Sequence, residues 1–241
     1  MMDPSGKKIW LIGASEGLGR ELANLLDRAG ARLVVSARNQ KRLEELCQEL
    51  ANAAPLAMDV TDADAVRRAA AEIGEIDSVI YNAGAYDPMG ATEWNTEAVL
   101  QMVDVNFVGA LHVLGEIVPR FVARGQGEIT FVGSLAGYRG LPNAIGYGAS
   151  KAALVSLAET MRHDLKDSGV VVRLINPGFI KTRLTEKNDF HMPMIMTPEK
   201  AAAHVMRALR TRRFRTDFPA PFSWLMRALV CLPDLLVYRG K

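Results

Sequence analysis

Short apolar runs alternate with longer stretches of helical period along most of the chain. The runs fall at 8–12, 32–36, 55–58, 78–81, 128–132 and 170–175. Several are apolar throughout rather than at every second position, the pattern of strands buried on both faces of a parallel sheet. Between them, 18–28, 40–51, 63–73, 97–123 and 150–166 are rich in helix-forming residues. A further helix is announced by Thr197 as N-cap, Pro198 in the first turn and Glu199 as an early carboxylate, and runs through Ala208. Strand and helix in succession predict an α/β fold built on a doubly wound parallel sheet. No repeat, low-complexity tract or linker divides the chain, so residues 1–241 read as a single domain.

In such a sheet, ligands bind beyond the carboxyl ends of the strands. The residues just past the runs are Gly13-Ala14-Ser15-Glu16-Gly17-Leu18-Gly19, Ala37-Arg38, Asp59-Val60, Asn82-Ala83-Gly84, Gly133-Ser134 and Asn176-Pro177-Gly178. Gly, Asn and Pro punctuate any fold of this class. Six such clusters along one edge nevertheless mark a binding crevice. Gly13, Gly17 and Gly19 lie between the first strand and the first helix, where glycine permits a tight turn. Backbone N–H groups there can approach a pyrophosphate at the positive end of the helix. The second strand ends in Ala37-Arg38 rather than in a carboxylate. A guanidinium grips a phosphate with paired charge-assisted bonds, so this end favours NADP(H), with NAD(H) as the alternative. Asp59 is suited to accept from an adenine amino group or, equally, to make a turn before Thr61 and the N-cap Asp62.

One pair stands apart from these turns. Tyr147 and Lys151 are four residues apart, so on a helix they rise from one face. A free phenol, with a pKa of about 10, is a poor acid or base at neutral pH. An ammonium beside it favours the phenolate and lowers that pKa, which suits proton exchange with a carbonyl or alcohol oxygen. Alone, the pair reads more readily as a solvated helix start than as a catalytic site. Its weight comes from the clusters around it.

Composition narrows the classes. Hydrophobic residues at 49% and charged residues at 23% are ordinary for a soluble globular protein. A net charge of +2 gives no argument for nucleic acid. Cys47 and Cys231 match no metal or redox spacing, and the four histidines are scattered, so no metal is expected. Cys47 shares a stripe with Leu43, Leu46 and Leu50 and reads as core. The apolar run after Lys7-Lys8 ends at Gly13 without a cleavage-like segment, and no window holds the uninterrupted apolar length of a membrane span. A cytoplasmic setting is the expectation.

With these residues in place, the chain resembles the short-chain dehydrogenase/reductase family in its single-domain form. The resemblance rests on Gly13-x3-Gly17-x-Gly19, Asn82-Ala83-Gly84, Asn106, Ser134, Tyr147-x3-Lys151 and Pro177-Gly178, which occur in the family's order and approximate spacing over about residues 6 to 185. It implies a Rossmann-type sheet of about seven strands and hydride transfer with a nicotinamide cofactor. It further implies Asn106, Ser134, Tyr147 and Lys151 as the catalytic set. Tyr147 would exchange the proton, Lys151 would tune it and bind the nicotinamide ribose, Ser134 would hold the substrate oxygen, and Asn106 would anchor a water. Gly13, Ser15, Glu16, Gly17, Leu18, Gly19, Arg38, Asp59, Val60, Asn82, Ala83 and Gly84 would contact the cofactor, with Tyr147, Lys151, Pro177, Gly178, Ile180 and Thr182. Three positions depart from the family's habit. Ile12 replaces a Thr, Tyr81 replaces an Asn, and Glu16 stands where NADP-preferring members often carry a base, so it would repel a 2′-phosphate nearby.

The tail is less regular. Residues 179–198 form a long apolar connection holding Phe190, Met192, Met194, Ile195 and Met196, a candidate cover for an apolar substrate; methionines also fill core gaps. The segment 220–241 is strongly apolar and follows the basic stretch 211–215. Lid plus subunit contact is the first expectation for it, and a membrane surface the second. The whole reads as an oxidoreductase acting on a small carbonyl or alcohol, a homodimer or homotetramer by family habit. The rivals are a non-catalytic sensor of nicotinamide cofactors and a peripheral membrane reductase.

Overall fold

The computed structural model describes residues 2–233 and 235. Seven parallel strands form one sheet in the order β3-β2-β1-β4-β5-β6-β7. They are β1 (Lys8–Ile12), β2 (Arg32–Ala37), β3 (Ala53–Ala57), β4 (Ser78–Tyr81), β5 (Gly127–Val132), β6 (Val170–Pro177) and β7 (Arg215–Phe218). The order reverses between β1 and β4, which opens a crevice at their carboxyl ends, where ligands of such sheets bind. The expected doubly wound Rossmann-type sheet is therefore the fold. Register pairs Ile12 with Ser36 on one side and with Tyr81 on the other, so the three exits from β2, β1 and β4 lie level.

Alternation that hydropathy hid is visible in the packing. Ile9 and Leu11 of β1 face one apolar core, and Trp10 and Ile12 face the other. The first core receives helices α1 (Gly17–Arg28), α2 (Gln40–Glu49) and α7 (Pro198–Leu209); the second receives α3 (Ala63–Ile73), α5 (Gly109–Arg124) and α6 (Ile145–Asp164). Burial on both faces is what leaves the strands continuously apolar. Trp10, fully buried, donates its indole N–H to the Ser36 hydroxyl at 2.8 Å, so the one polar atom of its ring is satisfied. Leu43 and Leu46 are buried in the first core and Cys47 is packed partly against it, as its stripe predicts.

Several boundaries differ from the sequence reading. The third strand starts two residues earlier than expected and closes at Ala57, because Ala53 pairs with Leu33. The seventh strand, Arg215–Phe218, is short and carries two charges, so it has no apolar run to reveal it. The expected helix over 97–123 is a continuous helical run of three parts. These are α4 (Thr96–Val103), a π turn (Asp104–Val108) and α5. By length and composition this run could cross a membrane. Its apolar side instead lies in the second core, with Val105, Ala110, Val113, Ile117 and Phe121 buried there. Asp62 and Thr197 cap α3 and α7 as expected. Helix α6 starts at Ile145, five residues ahead of its expected start, and so includes both Tyr147 and Lys151.

Candidate active site

The first cluster folds as a cradle at the crevice. Gly13 and Gly17 adopt φ of +86° and +55°, a region that side chains rarely enter. A Cβ on Gly13 would lie 2.6 Å from the Ala83 nitrogen, and one on Gly19 would collide with the Gly13 carbonyl. That carbonyl accepts from the Asn82 amide at 2.8 Å, so the exits of β1 and β4 are laced together. Glu16 stands at the N-cap of α1 yet makes no side-chain cap bond, which leaves the first N–H groups of the helix available for an anion. Ser15 is partly buried beside them, whereas Leu18 points into the core and can offer only its backbone. These features fit a dinucleotide pyrophosphate.

At the far end of the cradle the charges differ from the sequence reading. Glu16 does not project as a lone carboxylate. Its two oxygens accept from Arg42 at 2.5 Å and from Arg183 at 2.7 Å. The carboxylate expected to repel a 2′-phosphate is thus paired with two guanidiniums. Arg38 directly follows β2. Arg42 went unnoticed in the sequence, although Asn39 as N-cap places it at the third position of α2. Arg183 comes from the connection after β6, and no local pattern could have paired it with residue 16. Asp59 keeps the turn role, because one oxygen accepts from both the backbone and the hydroxyl of Thr61, at 2.9 and 2.8 Å. Val60 is buried against the second core.

The four candidate catalytic residues converge from three elements: α6, the turn after β5 and the π turn. Tyr147 and Lys151 rise one turn apart on α6, and the Lys151 Nζ lies 5.7 Å from the phenol ring centre. Only 3% of Lys151 is exposed; its Nζ donates to the carbonyl of Val132 at the end of β5, at 3.0 Å. Burial pulls the ammonium down to about 8. Burial also pushes the Tyr147 phenol up, and the hydroxyl of Ser134 pulls it part of the way back. This corrects the direction expected from the sequence. The Lys151 ammonium donates to the Val132 carbonyl rather than to the phenol, and burial dominates the phenol's surroundings. Ser134 itself caps the short turn after β5 by accepting from the Ala136 N–H at 3.1 Å.

Asn106 occupies the π turn, fully buried. Its amide closes a pair of bonds with the backbone of Ala85, 2.7 and 2.9 Å, and donates to the Ser150 hydroxyl at 2.9 Å. The side chain thus fastens the exit of β4 to α6. Tyr81, the departure noted in the sequence, reaches the same turn. Its hydroxyl donates to the Val105 carbonyl at 2.6 Å. Gly109 makes room for it, since a Cβ there would stand 2.6 Å from that oxygen. Single π turns within α-helices are frequent at functional sites.

The remaining candidates edge the crevice. Pro177 is the last residue of β6, and a Cβ on Gly178 would touch Pro219, Leu135 and Phe222 at 3.2 to 3.4 Å. Ile180 is buried and bridges to Met196, while the Thr182 methyl would meet a Cβ on Gly17 at 3.0 Å. The methionines of the connection divide: Met196 joins the core, and Met194 is exposed. Phe179 meets Phe190 edge-on at 5.8 Å and stacks on Phe222 at 5.9 Å. Phe222 opens helix α8 (Phe222–Cys231), so the tail segment is joined to the apolar connection. Residues 234 and 236–241, part of the same expectation, lie outside the described residues. Among the described residues no group of His, Cys, Asp and Glu could hold a metal ion.

Comparison with known proteins agrees with this fold. The family model described as short chain dehydrogenase matches residues 7–192. A protein described as an uncharacterized oxidoreductase from Myxococcus xanthus is 36% identical over 244 residues, covering 98% of this chain and 96% of its own. A short chain dehydrogenase from Burkholderia cenocepacia, solved in complex with NADP, superposes with a TM-score of 0.88 at 25% identity, over 98% of each chain. The fold is also that of a short-chain dehydrogenase from Sphingobium yanoikuyae solved with NADPH, with a TM-score of 0.84 at 24% identity over 98% of this chain and 96% of that one.

Proposed function

The chain belongs to the short chain dehydrogenase family; on that premise we propose that it interconverts a carbonyl and an alcohol on an apolar small molecule with NADP(H). The observation that carries this reading is the meeting of Tyr147, Lys151, Ser134 and Asn106 beside a glycine cradle at the switch point of the sheet. The NADP complex of the Burkholderia relative and the pairing of Glu16 with two arginines support the choice of cofactor. The Phe179, Phe190 and Phe222 rings support an apolar substrate.

When bound, the cofactor supplies or accepts the hydride. The chain's own residues manage the proton and the orientation. Gly13, Gly17 and Gly19 with the N-terminus of α1 would hold the pyrophosphate, and Arg38 the 2′-phosphate. Asn82, Ala83, Gly84, Pro177, Gly178, Ile180 and Thr182 would border the rest. The Ser134 hydroxyl orients the substrate oxygen. In reduction, Tyr147 gives its phenolic proton to that oxygen; in oxidation, it takes the proton back. Burial holds the phenol protonated through neutral pH, which suits it to the donor role. Lys151 keeps a positive charge behind the phenol, while Asn106 holds the exit of β4 and Ser150 in place.

Screening ketones, aldehydes and alcohols for a change in NADPH absorbance tests the reading. Tyr147→Phe should abolish turnover of any substrate so found and leave the NADPH Kd nearly unchanged, since only one hydroxyl is lost. Substantial turnover in the purified Phe variant would remove Tyr147 from the proton-transfer role. NADPH binding with no turnover across the panel would favour a cofactor sensor instead.

A further inference from the structure

The exit of β4 does more than back a cofactor. Five contacts run along it. Asn82 holds the cradle at Gly13, and Gly84 adjoins the Lys151 Nζ. Ala85 is bonded by Asn106, Tyr86 meets Tyr147, and Asp87 meets Lys187. The fourth contact is the unusual one. The rings of Tyr86 and Tyr147 stand 4.9 Å apart at 74°, edge to face. The Tyr86 hydroxyl does not enter the site. It donates to the Asn188 side-chain oxygen at 2.6 Å, across to the connection that follows β6. One residue after Tyr86 and one before Asn188, Asp87 and Lys187 pair at 3.0 Å, half-exposed. Asn188 in turn donates to the Met192 sulfur at 3.2 Å, which ties the latch to the apolar part of the same connection.

We propose that Tyr86 is a positioning residue that braces the ring of Tyr147 and, through Asn188, latches the 183–196 connection over the substrate. The inference rests on the carbonyl–alcohol reading for its kinetic consequences, but the latch itself is a property of the fold. Edge-to-face packing fixes the tilt of the phenol, so its proton points along one line. The Tyr86–Asn188 bond and the Asp87–Lys187 pair close the connection in parallel. One is neutral and partly buried; the other is solvated and screened by salt. Substrate held beneath the closed connection is retained by both. Separate substitutions therefore separate the roles. Tyr86→Phe keeps the ring and breaks the latch. Tyr86→Ala loses both.

The test begins with amide hydrogen exchange, which requires no turnover. Exchange across 183–196 should accelerate about five- to tenfold in Tyr86→Phe, the loss of one hydrogen bond, with the rest of the chain unchanged. Asn188→Ala, which also loses the Met192 contact, should accelerate exchange at least as much, and the double variant no more than Asn188→Ala alone, since Tyr86→Phe removes a bond that Asn188→Ala has already broken. On a carbonyl substrate, Tyr86→Phe should raise KM more than it lowers kcat and leave the NADPH Kd unmoved, whereas Tyr86→Ala should lower kcat as well. Added salt should raise the KM of Tyr86→Phe more than that of the parent, because only the ion pair then remains. Unchanged exchange in Tyr86→Phe, or additive effects of the two single substitutions, would overturn the latch. A protein that turns over no carbonyl in the screen would defeat the proposed function and leave the exchange result to decide the latch alone.

Discussion

Lys151 is the residue at which folding and chemistry conflict most openly. The fold buries an ammonium and lowers its pKa from an ordinary 10.5 to about 8. Between those values the unfolded chain binds a proton that the folded chain does not, so stability rises with pH across the window. Lys151 therefore stabilises the fold least below about pH 8 and is relieved of its penalty above about 10.5. Two and a half pH units correspond to on the order of 3 kcal/mol. Lys151→Met should be more stable than the parent in urea at pH 7, and the advantage should shrink by pH 10. An advantage equal at both pH values would show that the ammonium is not desolvated. Glu16 offers a second test at this scale. Arg42→Ala leaves the carboxylate half-compensated and should weaken NADPH more than NADH, while Glu16→Gln should do the reverse. Both effects should be modest, roughly three- to fivefold, because the pair is about 40% exposed and screened. Equal changes for the two cofactors in titrations of each variant would place this pair away from the 2′-phosphate.

Among the elements, the π turn between α4 and α5 is the one that sets the site. It brings Asn106 to the backbone of Ala85, and Tyr81 of β4 ties it down through the Val105 carbonyl. A regular helix from 96 to 124 would rotate Asn106 relative to the residues on either side. Helix-forming composition over 97–123 gave the helix but no sign of the turn, since one extra residue in a turn leaves no mark on propensity. Tyr81 carried the only visible hint, as an unexpected hydroxyl in an apolar strand. Tyr81→Phe should lose about 1 kcal/mol in urea unfolding, the net worth of one hydrogen bond, and should lower kcat although Tyr81 touches neither substrate nor cofactor. Parent-like turnover with the stability loss alone would make the tie purely structural. Helix α6 presents the opposite case. Its early glycines, Gly146 and Gly148, obscured its start, and Gly146 is required because a Cβ there would meet Met102 of α4 at 2.8 Å.

For the whole molecule, the open question is what α8 covers. Ser223 and Met226 are buried, whereas Trp224 is 69% and Leu225 57% exposed. Its N-terminal ring, Phe222, stacks on Phe179, and Arg227 pairs at 3.5 Å with Asp217 of β7, a carboxylate also held by Tyr138 and Asn176. The inner side is thus fastened to β7 and to the connection after β6. The outer side is an apolar surface of the sort that association covers. Phe222→Ala should raise KM for apolar carbonyls several-fold and leave NADPH affinity intact. Trp224→Ser with Leu225→Ser should leave KM alone and reduce self-association in light scattering. If both readouts stay at parent values, α8 is neither lid nor subunit contact, and flotation with liposomes becomes the next measurement.

What the sequence determined was whatever is written locally or in fixed order. Six of the seven strands, the sites of most helices, the glycine cradle and the Tyr147–Lys151 spacing follow from apolar runs, caps and the φ > 0 that only glycine tolerates well. Tertiary structure alone decided the rest. The seventh strand pairs by register with β6 and needs no apolar signal of its own. Glu16 meets Arg183 across 167 positions, and Tyr86 meets Asn188 across 102. Whether a buried ammonium lowers a neighbouring phenol or merely pays for its own desolvation depends on which carbonyl it can reach. Separations of that kind are set by how the sheet brings its strand exits together, and the linear order of residues does not contain them.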